Sequence, residues 1–208
     1  MKVLALLGTY HQGGSMDLLT DAVLEGASSA GAKTEKIHLA DLGMQYCRNC
    51  QACWERPELK LGKCPIDDDV ASVLRKITRC DALVLGTAIN YGWPTGVTKV
   101  FMERMGPLYR RRGGPGVIGR IPTARLAADE GPVKGAAVVT CYGTSFGPLP
   151  FGDAQPGFKI LKEMLKSANV KDVELLSGAW QVMDAFPISR RHHLLAKARK
   201  TGRKLATS

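Results

Sequence analysis

Three cysteines fall within seven residues, Cys47, Cys50 and Cys53, and a fourth, Cys64, stands just before Pro65. Cysteine thiolates are the usual ligands of iron–sulfur clusters and of structural zinc. A Cys-x2-Cys-x2-Cys run can wrap one face of a cubane cluster, and a further cysteine followed by proline completes the bacterial ferredoxin pattern. Here ten residues separate Cys53 from Cys64, so residues 55–61 must form a loop that returns the fourth thiol. Zinc sites pair two separate Cys-x-x-Cys turns, which this chain lacks. Two readings stand: a [4Fe–4S] site on Cys47, Cys50, Cys53 and Cys64, or four reduced thiols without a metal.

A second chemistry is suggested at residues 2–19. An apolar run at 3–7 leads into Gly8, Thr9, His11, Gly13, Gly14 and Ser15, followed by the start of a helical pattern. A turn with so little side-chain bulk lets backbone amides at a helix N-terminus face an anion. The glycine spacing is not that of the dinucleotide fingerprint, and no Gly-Lys-Ser/Thr follows, so a mononucleotide phosphate fits better than a pyrophosphate. A plain strand-to-helix turn is the alternative. A third candidate is residues 86–104, where Tyr91 and Trp93 flank Gly92. Such a segment can wall a flat heterocycle and offer backbone groups to its edge.

These residues need elements to position them. Apolar runs at 3–7, 82–85, 136–139 and 173–176 read as buried strands, and the alternating 36–39 as an edge strand. Helical periodicity covers 15–30, 68–77, 95–105, 158–168 and 188–205. Continuous apolar strands alternating with helices indicate an α/β doubly wound five-stranded parallel sheet with strand order 2-1-3-4-5. The 208 residues suit a single domain over 1–208. In that strand order the loops after the first and third strands are neighbours at the switch point, where ligands bind. Residues 106–134 and 142–157 are rich in Gly and Pro, as binding loops or oligomer contacts are.

The net charge of +10 is concentrated at Arg110, Arg111 and Arg112 and in 190–204. No zinc-finger, helix-turn-helix or aromatic-interleaved pattern accompanies either cluster, so a solvated surface is favoured over nucleic acid or membrane. The arginine triplet against the 2′-phosphate of NADPH is the less favoured alternative. No apolar run reaches the roughly 18–20 residues that span a bilayer, and the start lacks a signal-peptide pattern. Six cysteines in such a chain argue for a reducing, cytoplasmic setting. Cys80 and Cys141 lie by apolar runs, as core thiols do. Asp67, Asp68 and Asp69 are placed to cap the helix that follows, and His192 and His193 read as surface.

Taken together, positions 8–19 and 87–104 resemble the phosphate and ring loops of NAD(P)H-dependent FMN reductases of the flavodoxin superfamily. Residues 47–68 resemble the cysteine-bearing branch of that family, the iron–sulfur flavoproteins. The resemblance implies a flavodoxin-like fold. It implies that Thr9, His11, Gly13, Gly14, Ser15 and Met16 hold the FMN phosphate. It places Ala88, Ile89, Asn90, Tyr91, Gly92, Trp93 and Thr95 along the isoalloxazine, with Cys141, Tyr142, Gly143 and Thr144 on the pyrimidine side. His11 stands where the family has arginine, Ser15 where it has asparagine, and Asn90 where it has tyrosine. Met16 replaces a hydroxyl residue. The implied activity is NAD(P)H-dependent reduction of FMN, a quinone or a similar acceptor, in a homo-oligomer. The cofactor supplies the hydride chemistry, so no catalytic residue is implied. An iron–sulfur flavoprotein exchanging electrons with a ferredoxin-like partner is the alternative. A flavin-free binding module on the same fold is a third reading.

Overall fold

The computed structural model describes residues 1–55, 61–111, 116, 122–124, 131–132, 134–141, 155–179 and 187–207. Strands β1 (Lys2–Gly8), β2 (Lys33–His38) and β3 (Ala82–Asn90) alternate with helices α1 (Ser15–Ser29) and α2 (Val70–Ile77). The short β4 (Trp93–Pro94), α3 (Gly96–Arg104), β5 (Tyr109–Arg111) and β6 (Pro122–Ala124) follow. β7 (Lys134–Thr140), α4 (Gln155–Ser167), β8 (Asp172–Gly178) and α5 (His192–Leu205) complete the order. The main sheet runs β2-β1-β3-β7-β8, with every neighbouring pair along that path parallel.

The pleat explains the continuous apolar runs. Leu4 and Leu6 of β1, Leu83 and Leu85 of β3, and Ala137 and Val139 of β7 face α2, α3 and α4. The intervening Val3, Ala5, Leu7, Val84 and Val138 face α1 and α5. A strand covered on both faces has no polar side, so the alternation expected of a half-exposed sheet is lost. β2 lies at the edge, and its first three residues are exposed.

The sheet is not the clean five-strand one expected. A sixth strand, β4, pairs antiparallel with the end of β3, matching Ile89 to Pro94 and Asn90 to Trp93. The connection is two residues, Tyr91 and Gly92, with φ of 51° and 78°. Positive φ at both central positions is the type I′ hairpin turn, whose twist suits adjoining strands. β5 and β6 form a separate two-stranded sheet within the irregular region between α3 and β7.

Helix ends follow their sequence signals. At the end of α1, Gly31 (φ 86°) donates to the Ser28 carbonyl and Ala32 to that of Ala27, the Schellman pairing. Asn169 (φ 73°) plays the same part after α4, with Val170 donating to Leu165. The expected helix over 188–205 is divided. Ile188–Arg190 forms a 3-10 turn, and Arg191 (φ −95°, ψ 64°) interrupts it before α5. The Arg191 guanidinium donates to the Ala179 carbonyl at 2.5 Å, tying the break to the end of β8.

α1 and α5 cross with their backbones in contact. A Cβ at Gly202 would lie 1.8 Å from the Val23 carbonyl oxygen, and one at Gly26 would lie 2.0 Å from that of Arg199. Neither obstacle is a side chain that can turn aside. Gly202→Ala is therefore expected to force the helices apart and destabilise the fold by about 1–3 kcal/mol, measured as a lowered midpoint of thermal unfolding.

Candidate functional site

The carboxyl ends of β1 and β3 lie side by side, with Gly8 registered to Thr87. The strand order reverses here, β2 lying on one side of β1 and β3 on the other. A knot of buried hydroxyls fixes this point. Thr95 Oγ1 donates to the Gly8 carbonyl at 2.7 Å and lies 2.9 Å from Thr98 Oγ1, which in turn is 3.0 Å from Thr87 Oγ1. A Cβ on Gly8 would sit 1.7 Å from Thr98 Oγ1, so glycine is required where α3 meets the strand end. Thr95 is thus placed at the site, but its side chain is spent on the scaffold.

From Gly8 the chain turns through Thr9 to Gly14 into α1. Thr9 is buried, and its hydroxyl accepts the His11 amide at 3.2 Å. His11 is exposed, and its ring packs so closely on Gly14 that a Cβ there would be 2.5 Å from His11 Cδ2. Gly13 adopts φ 74°, with open space where a side chain would stand. The N-cap of α1 is Gly14, and no side chain caps it. First-turn amides have no acceptor within their own helix, so this end of α1 can receive an anion. Ser15 is half-buried at the first helical position. The Met16 side chain points the other way, under the helix, so that a Cβ on Gly86 would lie 2.8 Å from its sulfur. At Met16 the backbone is the part that faces the loop.

The β3–β4 hairpin stands beside this loop. Tyr91 is 87% exposed and Trp93 62%, whereas Ile89 is buried and can offer only its backbone. Ala88 is half-buried, Asn90 exposed and Gly92 half-buried. Trp93 also lines a small apolar cavity of about 180 Å³ with Pro94, Met102 and Ile160. Tyr10 lies on the same rim, 64% exposed, and its hydroxyl accepts the Val97 amide at 3.0 Å. Cys141 follows β7 and is 3% exposed among core residues. Tyr142, Gly143 and Thr144 lie outside the described residues, as does Arg112.

Asp17 is a residue that sequence reading missed. It is 3% exposed in the first turn of α1. Its carboxylate accepts the Gly13 amide at 2.9 Å, Lys36 Nζ at 2.8 Å and His38 Nε2 at 2.7 Å. Burial alone would push this carboxyl up, but the hydrogen bonds from Lys36 and His38 outweigh it and hold it below the usual range. Asp17 therefore ties the glycine loop to the edge strand β2. The signal was an alternating Lys36-x-His38 on one face of β2, a pair of donors in need of an acid.

The four cysteines of the 47–64 region form no disulfide. Cys47, Cys53 and Cys64 are half-buried and Cys50 is exposed. Asn49 and Gln51 adopt left-handed backbone (φ 51° and 59°), so the chain winds tightly around this segment. The Asn49 amide donates to Cys47 Sγ at 3.4 Å. Burial, with smaller contributions from neighbouring Cys64, Cys47 and Cys50, pushes the Cys53 thiol up to about 11. Among the described residues no three of these thiols are grouped closely enough to grip one ion. The segment packs against the end of α3, where a Cβ on Gly106 would lie 2.8 Å from Cys53 Sγ. Trp54 Nε1 and Arg104 Nε, both buried here, have no hydrogen-bond partner among the described residues. Four soft sulfur donors beside unspent N–H groups fit a thiolate-ligated iron–sulfur group in chemistry.

The three aspartates expected as caps divide their roles. Asp68 Oδ1 accepts the Val70 amide at 3.1 Å, as a cap does, but its main partner is Arg104. Asp69 accepts the Gly43 amide at 2.7 Å. Cys80 is a core thiol pushed up to about 12 by burial. No helix among the described residues is long and apolar enough to cross a membrane.

A doubly wound parallel sheet with a glycine loop and an aromatic hairpin at its switch point defines a flavodoxin-like protein. An archaeal flavodoxin superposes with a TM-score of 0.52 at 14% identity, over 99% of this chain and 96% of that one. The sequence profile of the NADPH-dependent FMN reductases matches residues 1–138, and the chain belongs to that family. An FMN-dependent NADH-azoreductase from Bacillus anthracis, solved in complex with FMN, superposes with a TM-score of 0.70 at 11% identity and full coverage of both chains. An iron–sulfur flavoprotein of Methanocaldococcus jannaschii is 35% identical over 108 residues, 52% of this chain and 53% of that protein. The chain spans about half the length of the curated relatives it matches.

Asp17 yields a pH-dependent expectation. Its native pKa lies below the unfolded value near 3.9, so its contribution is complete above that value and is lost as pH falls through the native one. Asp17→Asn is expected to cost about 2 kcal/mol near neutral pH and to lose less stability on acidification than the parent, as followed by urea unfolding from pH 7 to pH 3.

Proposed function

We propose that the protein is an FMN-dependent oxidoreductase, a single flavodoxin-like domain taking electrons from NAD(P)H and delivering them to FMN, a quinone or a similar acceptor. The observation that carries this reading is the uncapped α1 N-terminus at the switch point, flanked by His11 and faced by the exposed hairpin of Tyr91 and Trp93. The amides at Ser15 and Met16 and the Thr9–Gly14 turn would hold the phosphate, and His11 would stand in for the cation. The hairpin, with Ala88 through Trp93, would lie along the ring. Cys141 through Gly143 would close the pyrimidine side. When bound, FMN supplies the hydride chemistry, and the residues supply geometry, hydrogen bonds and exclusion of water.

A second reading, electron exchange with a ferredoxin-like partner through a [4Fe–4S] group, is favoured by the four thiols of Cys47, Cys50, Cys53 and Cys64, which form no disulfide and of which Cys53 and Cys64 both lie at the end of α3. It is favoured as well by the likeness to iron–sulfur flavoproteins. The half-exposed thiols suit a reducing, cytoplasmic setting. Tyr91 and Trp93, solvent-facing in one chain, suit a contact that a second copy covers in a homo-oligomer.

The test is a fluorescence titration with FMN and with riboflavin. FMN is expected to bind at least tenfold more tightly, and His11→Ala to remove roughly tenfold of FMN affinity with little effect on riboflavin. Equal affinity for the two flavins would remove the phosphate assignment, and binding of neither would favour a flavin-free module.

A further inference from the structure

We propose that Arg104 is a positioning residue for the four-cysteine centre, acting through a buried clamp with Asp68. The inference rests on reading Cys47, Cys50, Cys53 and Cys64 as one ligand set.

Arg104 is the last residue of α3, and its side chain is 1% exposed, that of Asp68 2%. Its Nη1 donates to Asp68 Oδ2 at 2.5 Å and to the Gln45 carbonyl at 2.7 Å. Its Nη2 donates to Asp68 Oδ1 at 3.0 Å and to Cys64 Sγ at 3.7 Å. Asp68 Oδ2 also accepts the Gln45 amide at 2.9 Å. One guanidinium thus touches the chain two residues before Cys47, the carboxylate four residues after Cys64, and the sulfur of Cys64 itself. The guanidinium adds to the Gln45–Asp68 and Gly43–Asp69 hydrogen bonds that also tie the two cysteine-bearing stretches, and it is the group of the three that reaches a cysteine sulfur.

An ion pair alone would need Asp68 and nothing more. Arg104 spends further N–H groups on the Gln45 carbonyl and on a thiol. Partners of this kind orient metal ligands and set their electronic character. An N–H directed at a ligating sulfur, together with the positive charge behind it, stabilises the more negative, reduced form of an iron–sulfur centre. Lysine could keep the charge but not the planar fork that spans carboxylate, carbonyl and sulfur at once. The position of Arg104 also matters. α3 begins at the hydroxyl knot beside Gly8, so the clamp joins the cysteine region to the helix that starts at the phosphate loop.

The full chain, Arg104→Lys and the double variant Arg104→Met/Asp68→Leu are compared after circular dichroism establishes the native fold. The double variant replaces the buried pair with apolar side chains, which interiors tolerate, and removes the donor to Cys64. Each protein is loaded anaerobically with ferrous iron and sulfide, and separately titrated with Co²⁺, whose thiolate absorbance reports ligation. Wild type is expected to take up iron with sulfide and to bind Co²⁺. Both variants are expected to lose roughly 10–100-fold in Co²⁺ affinity, and the iron–sulfur centre of Arg104→Lys to shift to a more negative midpoint potential. A folded double variant with wild-type Co²⁺ affinity, together with an unshifted potential in Arg104→Lys, overturns the positioning role and leaves the cysteine site standing. Wild type that takes up neither iron with sulfide nor Co²⁺ overturns the ligand-set reading, and the positioning role with it.

Discussion

A parallel sheet covered by helices on both faces has no side open to water, and this constraint orders everything else in the molecule. Leu4, Leu6, Leu83 and Leu85 occupy one face of it and Val3, Ala5, Leu7 and Val84 the other. Polar chemistry is displaced to the strand ends, where backbone groups lose their sheet partners. At the carboxyl edge this need is met by hydroxyls, since Thr87, Thr95 and Thr98 close around the Gly8 carbonyl. The same knot sets the start of α3, and α3 carries the region of Cys53 and Cys64 on its far end. The two candidate sites are therefore joined by one nine-residue helix, about 13 Å of rigid rod.

Charge is arranged with similar economy. The chain carries ten more basic than acidic side chains, and several of its acids serve as structural ties. Asp17 holds Gly13 and β2, Asp41 accepts both bonds from the Gln12 side chain, and Asp68 and Asp69 hold the segment leading to Cys47.

The strands and helices were legible because two-sided burial writes itself as unbroken apolar runs and helical faces repeat between them. The β4 hairpin was not legible. Its turn, Tyr91-Gly92, lacks the Asn-Gly pair that ordinarily announces such a connection, and its strand is only two residues long. The glycine loop was readable as an anion cradle, but the carboxylate beneath it was not. A lone Asp17 in a first turn reads as a partner of the helix dipole, and its true partners Lys36 and His38 arrive nineteen and twenty-one residues later. The clamp between Asp68 and Arg104 spans thirty-six positions, beyond any local pattern. Met16 and Ile89 turn their side chains into the core, because loop motifs report backbone position and leave side-chain direction to packing.

The crossing of α1 and α5 at Gly26 and Gly202 bears on how the protein is made. α1 leaves the ribosome early, carrying Leu19 and Val23, which are buried partly against Leu194, Ala198 and Leu205 of the late-emerging α5. Until that helix docks, one flank of the sheet stays partly uncovered. Closure of that flank thus waits on residues more than a hundred and sixty positions downstream of α1, and non-local closures of this kind slow folding and prolong the exposure of apolar surface to chaperones. A nascent chain stalled before α5 would have every residue of its glycine loop and no α5 to bury the inner face of α1.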